Sequence, residues 1–237
     1  AVNSILLGCS VGVAGTVLGF IFAFAVTRLS LPKWLCTAVS AVTLLPLISP
    51  PFTSSIALTL SLGPNGILLD FFGLGNFNFY GFWGTFISET LTFFPVAFMT
   101  LSTILARIDP NLEDAAYSLG ASSFKVFRTV TLPLAAPGIA NAFLLVFSCS
   151  LADFATPQVL GGHSFPVLPT QAYLVITGMY DFKGGAALSF MLLIPAIIVY
   201  SLQRWWVGKK SYVTVSGKAG GRSSVKGPGP LLSSVIV

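Results

Sequence analysis

The chain has 237 residues, of which 54% are hydrophobic and only 8% are charged, and its formal net charge is +5. Soluble domains carry about 25% charged residues, so this composition excludes a water-soluble globular protein. The positive charge does not indicate a nucleic-acid partner, because the basic residues are confined to short segments between long apolar runs. Such a composition is typical of a polytopic membrane protein.

Uncharged apolar runs predict five membrane spans, since a helix of roughly 17–25 apolar residues crosses a bilayer. The predicted fold class is therefore an all-α transmembrane bundle. In chain order, we expect the spans near Asn3–Val26, Leu35–Leu60, Phe82–Leu105, Gly138–Val159 and Ala186–Trp206. Prolines at positions 46, 50 and 51 break the second span midway. They free carbonyl groups that only protein or a watery cavity can satisfy, so this span is expected to line the interior.

Small residues mark one side of the first span, where glycines stand at positions 8, 12, 15 and 19. Small residues separated by three positions let a neighbouring helix approach closely. We expect these glycines to pack inside the bundle rather than to form a dimer contact. The three cysteines lie in or beside apolar runs without metal-ligand spacing, which favours a packing role.

The basic residues predict the orientation of the spans. Of the twelve Lys and Arg, all except Lys183 fall in segments that five spans would place on one face. Positively charged loops stay in the cytoplasm, so we expect residues 106–133 and the C-terminal tail on that side. Residues 1–207 are predicted to form the membrane domain and 208–230 a cytoplasmic linker. Residues 231–237 resemble the start of a further span, and we expect the chain to be part of a longer protein.

The large internal loop contains a predicted short helix. Asp109 followed by Pro110 is typical of a helix start, because the side chain caps the first turn and proline has no amide hydrogen to leave unpaired. Glu113 and Asp114 then place negative charge near the positive end of the helix dipole. Gly120 is expected to end the helix, which leaves small residues on one side of a cytoplasmic docking surface.

The same loop carries a resemblance to a known family. The residues Asp114-Ala115-Ala116, Gly120, Val130 and Leu132-Pro133 match the spacing of the signature loop of binding-protein-dependent ABC importer permeases. The family has Glu-Ala-Ala where this chain has Asp-Ala-Ala, and Ile where it has Val130. The resemblance implies a MetI-like permease fold whose coupling helix sits in a groove of a separate ABC ATPase subunit. ATP would then be bound by that subunit, and no cofactor is expected on this chain.

A second resemblance concerns the cargo. Residues 151–162 and the stretch from Gln203 to Lys218 are similar to ferric iron permeases, in which two homologous halves are fused. This resemblance implies a multi-pass protein of the bacterial inner membrane, surrounded by lipid, that takes iron from a periplasmic or extracellular binding protein. It also implies a second permease half fused C-terminally and a missing first span. Relatives that import aminoethylphosphonate, thiamine or polyamines share much of the pattern, and a secondary transporter driven by an ion gradient stays a rival.

Two carboxylates inside predicted spans are candidate substrate-path residues, because an ionisable group within a membrane is costly. Glu89 lies seven residues from Phe82 and Asp153 six from Val159, which places them about 10 Å and about 9 Å from the outer face at 1.5 Å per residue. Two carboxylates at similar depth would suit a hard cation. The alternative is that each binds neighbouring helices or, for Asp153, interfacial water. We predict no catalytic residues and no resident metal site.

Overall fold

The computed structural model of the chain describes residues 1–50, 52–63, 66, 71 and 79–209, with side chains as far as Trp205. Every regular element in these ranges is helical. Two π-helical turns, Phe127–Thr131 and Pro157–Gly161, precede and follow the helix Leu132–Ala152. The helices are α1 Val2–Arg28, α2 Lys33–Ile48, α3 Thr53–Leu62, α4 Phe82–Arg107, α5 Pro110–Ser118, α6 Ser123–Val126, α7 Leu132–Ala152, α8 Leu168–Gly178 and α9 Phe182–Lys209.

Four helical stretches in the described residues are long and apolar enough to cross a membrane: Val2–Arg28, Phe82–Arg107, Ser123–Ala152 and Phe182–Trp205. A fifth candidate is the pair α2 and α3, which are bent by 102° from each other at a short break. The break follows Ile48, whereas Pro46 lies within α2. The five spans and the interruption of the second agree with the sequence prediction. That the second span lines the interior stays a prediction.

Helix α1 lies against both α4 and α7, and its glycines make this close packing possible. A Cβ atom at Gly12 would lie 2.8 Å from the ring of Phe143 on α7. One at Gly19 would lie 2.6 Å from Cβ of Ala97 and 2.7 Å from the backbone nitrogen of Phe98. The glycines therefore pack inside the bundle, as predicted. Around them, α1, α4 and α7 share a core of fully buried apolar side chains that includes Leu7, Val11, Leu101, Leu105 and Val146.

The fourth span begins at Ser123 rather than at Gly138, because the π-helical turn joins α6 to α7 without a break. Leu132 and Pro133 consequently lie inside the helix and not in the loop before it. Proline disfavours a helix interior, which is why the sequence predicts a later start. In membrane helices, local π turns and neighbouring helices can satisfy the backbone groups that a proline leaves unpaired. The internal loop is correspondingly shorter than predicted.

The same span ends at Ala152, earlier than predicted. The carboxylate of Asp153 accepts hydrogen bonds from the backbone N–H groups of Ala155 at 3.0 Å and Thr156 at 3.4 Å. A side chain that binds the backbone two and three residues further on caps a new helical turn instead of continuing the old helix. Asp153 therefore lies at a break between two helical segments and not within one continuous span.

The predicted outer loop 161–185 contains the helix α8, which packs on α9. Two hydrogen bonds tie this region to the start of α1. The amide of Asn3 donates to the carbonyl of Pro166 at 2.9 Å, and the backbone N–H of Leu168 donates to Oγ of Ser4 at 2.8 Å. Helix α8 has 11 residues, too few to cross a bilayer, and it was not apparent among the turn residues that surround it.

The last span agrees with the prediction in position, although α9 begins earlier, at Phe182, and ends at Lys209. Trp205 is exposed near its end, as expected for an interfacial aromatic residue. Residues 210–237 lie outside the described residues. The predicted linker 208–230 and the further span 231–237 therefore stay predictions.

Candidate functional site

The internal loop forms the short helix α5 at the predicted position. Asp109 is its N-cap, and the side chain accepts a hydrogen bond from the backbone N–H of Asn111 at 3.0 Å. Pro110 occupies the first turn, where its missing amide hydrogen leaves no partner unsatisfied. The local start signal in the sequence is therefore confirmed.

The end of α5 depends on Gly120. Its backbone N–H donates to the carbonyl of Tyr117 at 2.9 Å, and the N–H of Ala121 donates to the carbonyl of Ala116 at 3.1 Å. This pair of bonds is a Schellman motif, which closes a helix with one residue in the left-handed region. Gly120 has a φ of +80°, and no atom lies within 4 Å of the position that a Cβ would take. Glycine is thus needed here for backbone conformation rather than for space.

Glu113 points into the protein and not towards a docking surface. It is 5% exposed, and its Oε1 forms an ion pair with Nε of Arg28 at 3.2 Å. The hydroxyl of Thr131 donates to the same oxygen at 2.8 Å. The guanidinium of Arg28 also donates, through Nη2, to the carbonyl of Ile108 at 3.4 Å. Helix α5 is therefore held against the end of α1, the end of α4 and the turn before α7.

The opposite side of the loop is open. Asp114 and Ala115 are exposed and Ala116 is half-buried. The loop also presents two large apolar side chains, Leu119 at 89% exposure and Phe124 at 72%. Apolar groups this exposed at the end of a bundle are typical of a surface that meets another protein. Pro133 is exposed and Leu132 half-buried on the following helix.

Glu89 is fully buried between spans 3 and 4. Oγ of Ser150 on α7 donates a hydrogen bond to its Oε2. One residue earlier, Ser88 lies 3.4 Å from Ser55 of α3, oxygen to oxygen. Oε1 of Glu89 has no hydrogen-bond partner among the described groups. A buried carboxylate oxygen without a partner is costly, so it marks a place where a ligand, a proton or a movement of the helices could complete the arrangement.

Asp153 lies three residues after Ser150, the residue that binds Glu89, and just beyond the end of α7. Its two oxygens are occupied by the backbone N–H groups of Ala155 and Thr156. The structure therefore brings the two predicted acids together, but it assigns each of them a helix-binding role as well. In the part of the chain that the structure describes, no cluster of three or more His, Cys, Asp or Glu side chains could hold a metal ion. His163 is exposed on the predicted outer loop.

The sequence did not identify the side chains that bind the two buried glutamates: Arg28 and Thr131 for Glu113, and Ser150 for Glu89. In the sequence analysis, Arg28 served only to predict the orientation of the spans. Thr131 and Ser150 were treated as parts of apolar runs. Arg28 at the end of a span and Glu113 in a loop have opposite charges and could pair. Nothing local in the sequence, however, indicates which acid that arginine meets.

Known proteins resemble this chain in sequence and in fold. The ferric transport system permease protein FbpB of Actinobacillus pleuropneumoniae is 40% identical over 223 residues, which are 92% of this chain and 32% of that protein. The molybdenum transport system permease protein ModB of Haemophilus influenzae is 34% identical over 171 residues, 68% of this chain and 72% of the relative. The chain thus spans about a third of the length of the ferric relatives it matches, 32% and 35% in two species.

Among solved structures, inward-facing MetNI methionine ABC transporter crystals contain a chain with a TM-score of 0.69 at 17% identity, covering 87% of this chain and 92% of that one. An amino acid ABC transporter gives a TM-score of 0.57 at 19% identity, covering 88% and 91%. These likenesses establish the MetI-like fold. A family model described as binding-protein-dependent transport system inner membrane component matches residues 15–211. On this match and these relatives, the chain belongs to the family of binding-protein-dependent transport system inner membrane components.

Proposed function

We propose that this chain is the membrane-spanning permease part of an ATP-driven, binding-protein-dependent importer, and that ferric iron is its cargo. The observation that carries the proposal is the helix α5. It is capped at both ends, held by one buried ion pair, and otherwise open towards a partner. A channel or a secondary transporter has no need of such a docking element, because no ATPase has to move it.

The partner at this surface would be an ABC ATPase subunit, which binds and hydrolyses ATP while this chain binds no cofactor. The exposed residues Asp114, Ala115 and Gly120, together with the half-buried Ala116, would meet it. Glu113 supports this surface from within. The distribution of Lys and Arg favours a cytoplasmic position for the loop and the tail. A periplasmic or extracellular binding protein would deliver the cargo on the other side, and a second permease half, fused C-terminally, would complete the path.

Ferric iron is favoured by the names of the two 40% identical relatives. The two buried acids agree with it, since hard cations prefer oxygen ligands and an anion such as sulfate would be repelled. Molybdenum and sulfate permeases also resemble the chain, so other small solutes, including aminoethylphosphonate, thiamine and polyamines, are the alternative cargo. Because Glu89 is fully buried in this conformation, its contact with cargo would require α4 and α7 to separate at that level.

Reconstitution tests this function. The full-length protein, with its ATPase subunit and binding protein, is placed in liposomes, and uptake of radioactive ferric iron is measured with and without ATP. We expect uptake that requires ATP, the ATPase and the binding protein together, and no uptake of molybdate or sulfate under the same conditions. Uptake driven by an ion gradient without ATP would overturn the importer mechanism. ATP-dependent uptake of another solute instead of iron would overturn only the cargo.

A further inference from the structure

Helix α5 touches the rest of the protein at very few points. It has nine residues, and Glu113 is its one buried residue among those described. Its other connections are the chain itself on either side, which runs through exposed or half-buried loop residues. A push or pull on α5 therefore reaches the rest of the protein through the chain on either side, through the half-buried residues Pro110, Ala116 and Tyr117, or through the buried side chain of Glu113.

The contacts of Glu113 lead to three spans at once. Arg28 is the last residue of α1, Thr131 ends the turn that precedes α7, and the Ile108 carbonyl that Arg28 binds directly follows α4. We call Arg28, Glu113 and Thr131 the anchor cluster. Its hydrogen bonds join residues that are distant in sequence: Arg28 is 80 residues from Ile108, and Glu113 is 18 from Thr131. The same three helices, α1, α4 and α7, build the core of the bundle.

Burial makes this connection stiff. The side chains of Arg28 and Glu113 are 10% and 6% exposed, so water can replace little of what a separation would remove. Charge–charge attraction in a poorly solvated site is strong, and breaking a buried pair leaves an uncompensated charge. Exposed ion pairs, in contrast, come apart at little cost. The Arg28–Glu113 pair can therefore stay closed while α5 moves, whereas an exposed ion pair would separate.

We propose that the anchor cluster is the link through which a displacement of α5 reaches the membrane spans, and that Arg28 and Thr131 are positioning residues for energy coupling. The inference rests on the proposed function, because it assumes that α5 is the element that the ATPase moves. It adds the path that the movement takes. The displacement enters α1 at Arg28 and passes from the glycine-packed face of α1 to α4 and α7.

Three variants test the link in the reconstituted, full-length complex. Glu113→Gln keeps the shape and can still accept the Thr131 hydrogen bond, but it removes the charge. Arg28→Met removes the other charge, and the third variant combines both changes. Asp109→Asn is the matched control, since it also converts a carboxylate of this loop to an amide, while asparagine caps a helix as well as aspartate does.

The decisive readout is cargo transported per ATP hydrolysed, measured beside the amount of ATPase that co-purifies. We expect Glu113→Gln and Arg28→Met to keep the ATPase bound but to lower transport per ATP about five-fold or more, the lower range of coupling between sites. The double variant should be no worse than either single one, because the two residues act through one contact. Arg28→Lys, which restores a positive charge, should recover part of the loss, and Asp109→Asn should couple like the wild type.

Two results would overturn the link. One is a wild-type ratio of cargo transported to ATP hydrolysed in the single variants. The other is a lower ratio that is fully explained by less protein in the membrane or less bound ATPase. If Glu113→Gln fails to accumulate, Thr131→Val decides the matter in the same assay. This variant keeps the ion pair and removes one hydrogen bond. Transport per ATP should therefore fall, but by less than in the other variants, and an unchanged ratio would contradict the link.

A distance measurement separates this inference from the proposed function. Spin labels at Ser118 on α5 and Ile21 on α1, both exposed, are introduced after replacement of the native cysteines. We expect one narrow distance distribution in the wild type and a broad one with Glu113→Gln. Equal widths would refute the link, even in a protein that imports iron with ATP. A broadened distribution in a protein without ATP-driven import would refute the proposed function and leave the mechanical connection standing.

Discussion

Replacement of Gly120 by leucine should damage coupling while the membrane domain stays intact. With a φ of +80°, residue 120 lies in the left-handed region, where an ordinary L-residue costs roughly 1–2 kcal/mol. No atom of the chain lies within 4 Å of the new Cβ, so the substitution causes no internal clash. The cost of the backbone alone corresponds to about a 5- to 30-fold lower population of the native turn. The bulk of leucine on the exposed face adds an obstacle to the partner.

A series at this position separates the two effects. Asparagine tolerates the left-handed region, so Gly120→Asn should be mild. Gly120→Ala adds backbone strain without bulk, and Gly120→Leu adds both. We measure the membrane level, the amount of co-purified ATPase and the ATP hydrolysis that cargo-loaded binding protein stimulates. We expect near-normal membrane levels throughout, and association with the ATPase that weakens in the order Asn, Ala, Leu. With leucine, stimulated hydrolysis should be lost.

Gly162 offers a matched control at the other end of the bundle. It also has a positive φ, +55°, and open space around its Cβ position. Gly162→Leu should therefore strain a turn as Gly120→Leu does, yet leave association with the ATPase unchanged. If Gly120→Leu transports at the wild-type rate with the ATPase still bound, α5 is not the coupling element.

Three further predictions follow from the spans and their packing. In a background without native cysteines, a single cysteine at position 122 should not react with an impermeant reagent in intact cells, whereas one at position 164 should react. Labelling of position 122 would show that the orientation is the reverse of the predicted one. Glu89→Gln and Asp153→Asn should each reduce uptake strongly at normal membrane levels and normal ATPase binding, and full uptake by both would leave the acids only their helix-binding contacts. Gly19→Ala should destabilise the purified protein by about 1–3 kcal/mol, because the added methyl would lie 2.6 Å from a Cβ atom of α4; an unchanged midpoint of thermal unfolding would contradict the close packing.

Local signals in the sequence predicted the features that depend on local physics. The spans near α1, α4 and α9 were found because each is a long apolar run that ends near a basic residue, interrupted in α4 by the single charge of Glu89. The helix α5 was found because Asp109, Pro110 and Gly120 act on the backbone of their own neighbours. These features depend on residues that are close to one another in the chain, so a local pattern is enough to predict them. The similar depth of Glu89 and Asp153 in the membrane stays a prediction, since its helical count assumed a span that continues past Ala152.

Features that depend on the surroundings were missed. The early start of the fourth span depends on neighbouring helices and a π turn that accommodate Pro133. The role of Asp153 as a cap depends on a helix break that apolar composition hides. The pairing of Arg28 with Glu113 joins residues that are far apart in the chain. In each case the local pattern allows several outcomes, and only the packed bundle selects one.

The attachment of α1 at its N-terminal end has a consequence for the order of assembly. Asn3 and Ser4 bind Pro166 and Leu168, partners that are 163 and 164 residues further along the chain. Since a chain is synthesised from its N-terminus, α1 enters the membrane long before these partners exist. Until α4 and α7 follow, its glycine face lacks the partners that it contacts in the folded bundle. Helix α1 is therefore synthesised early, but it reaches its final packing only when the later helices have been inserted.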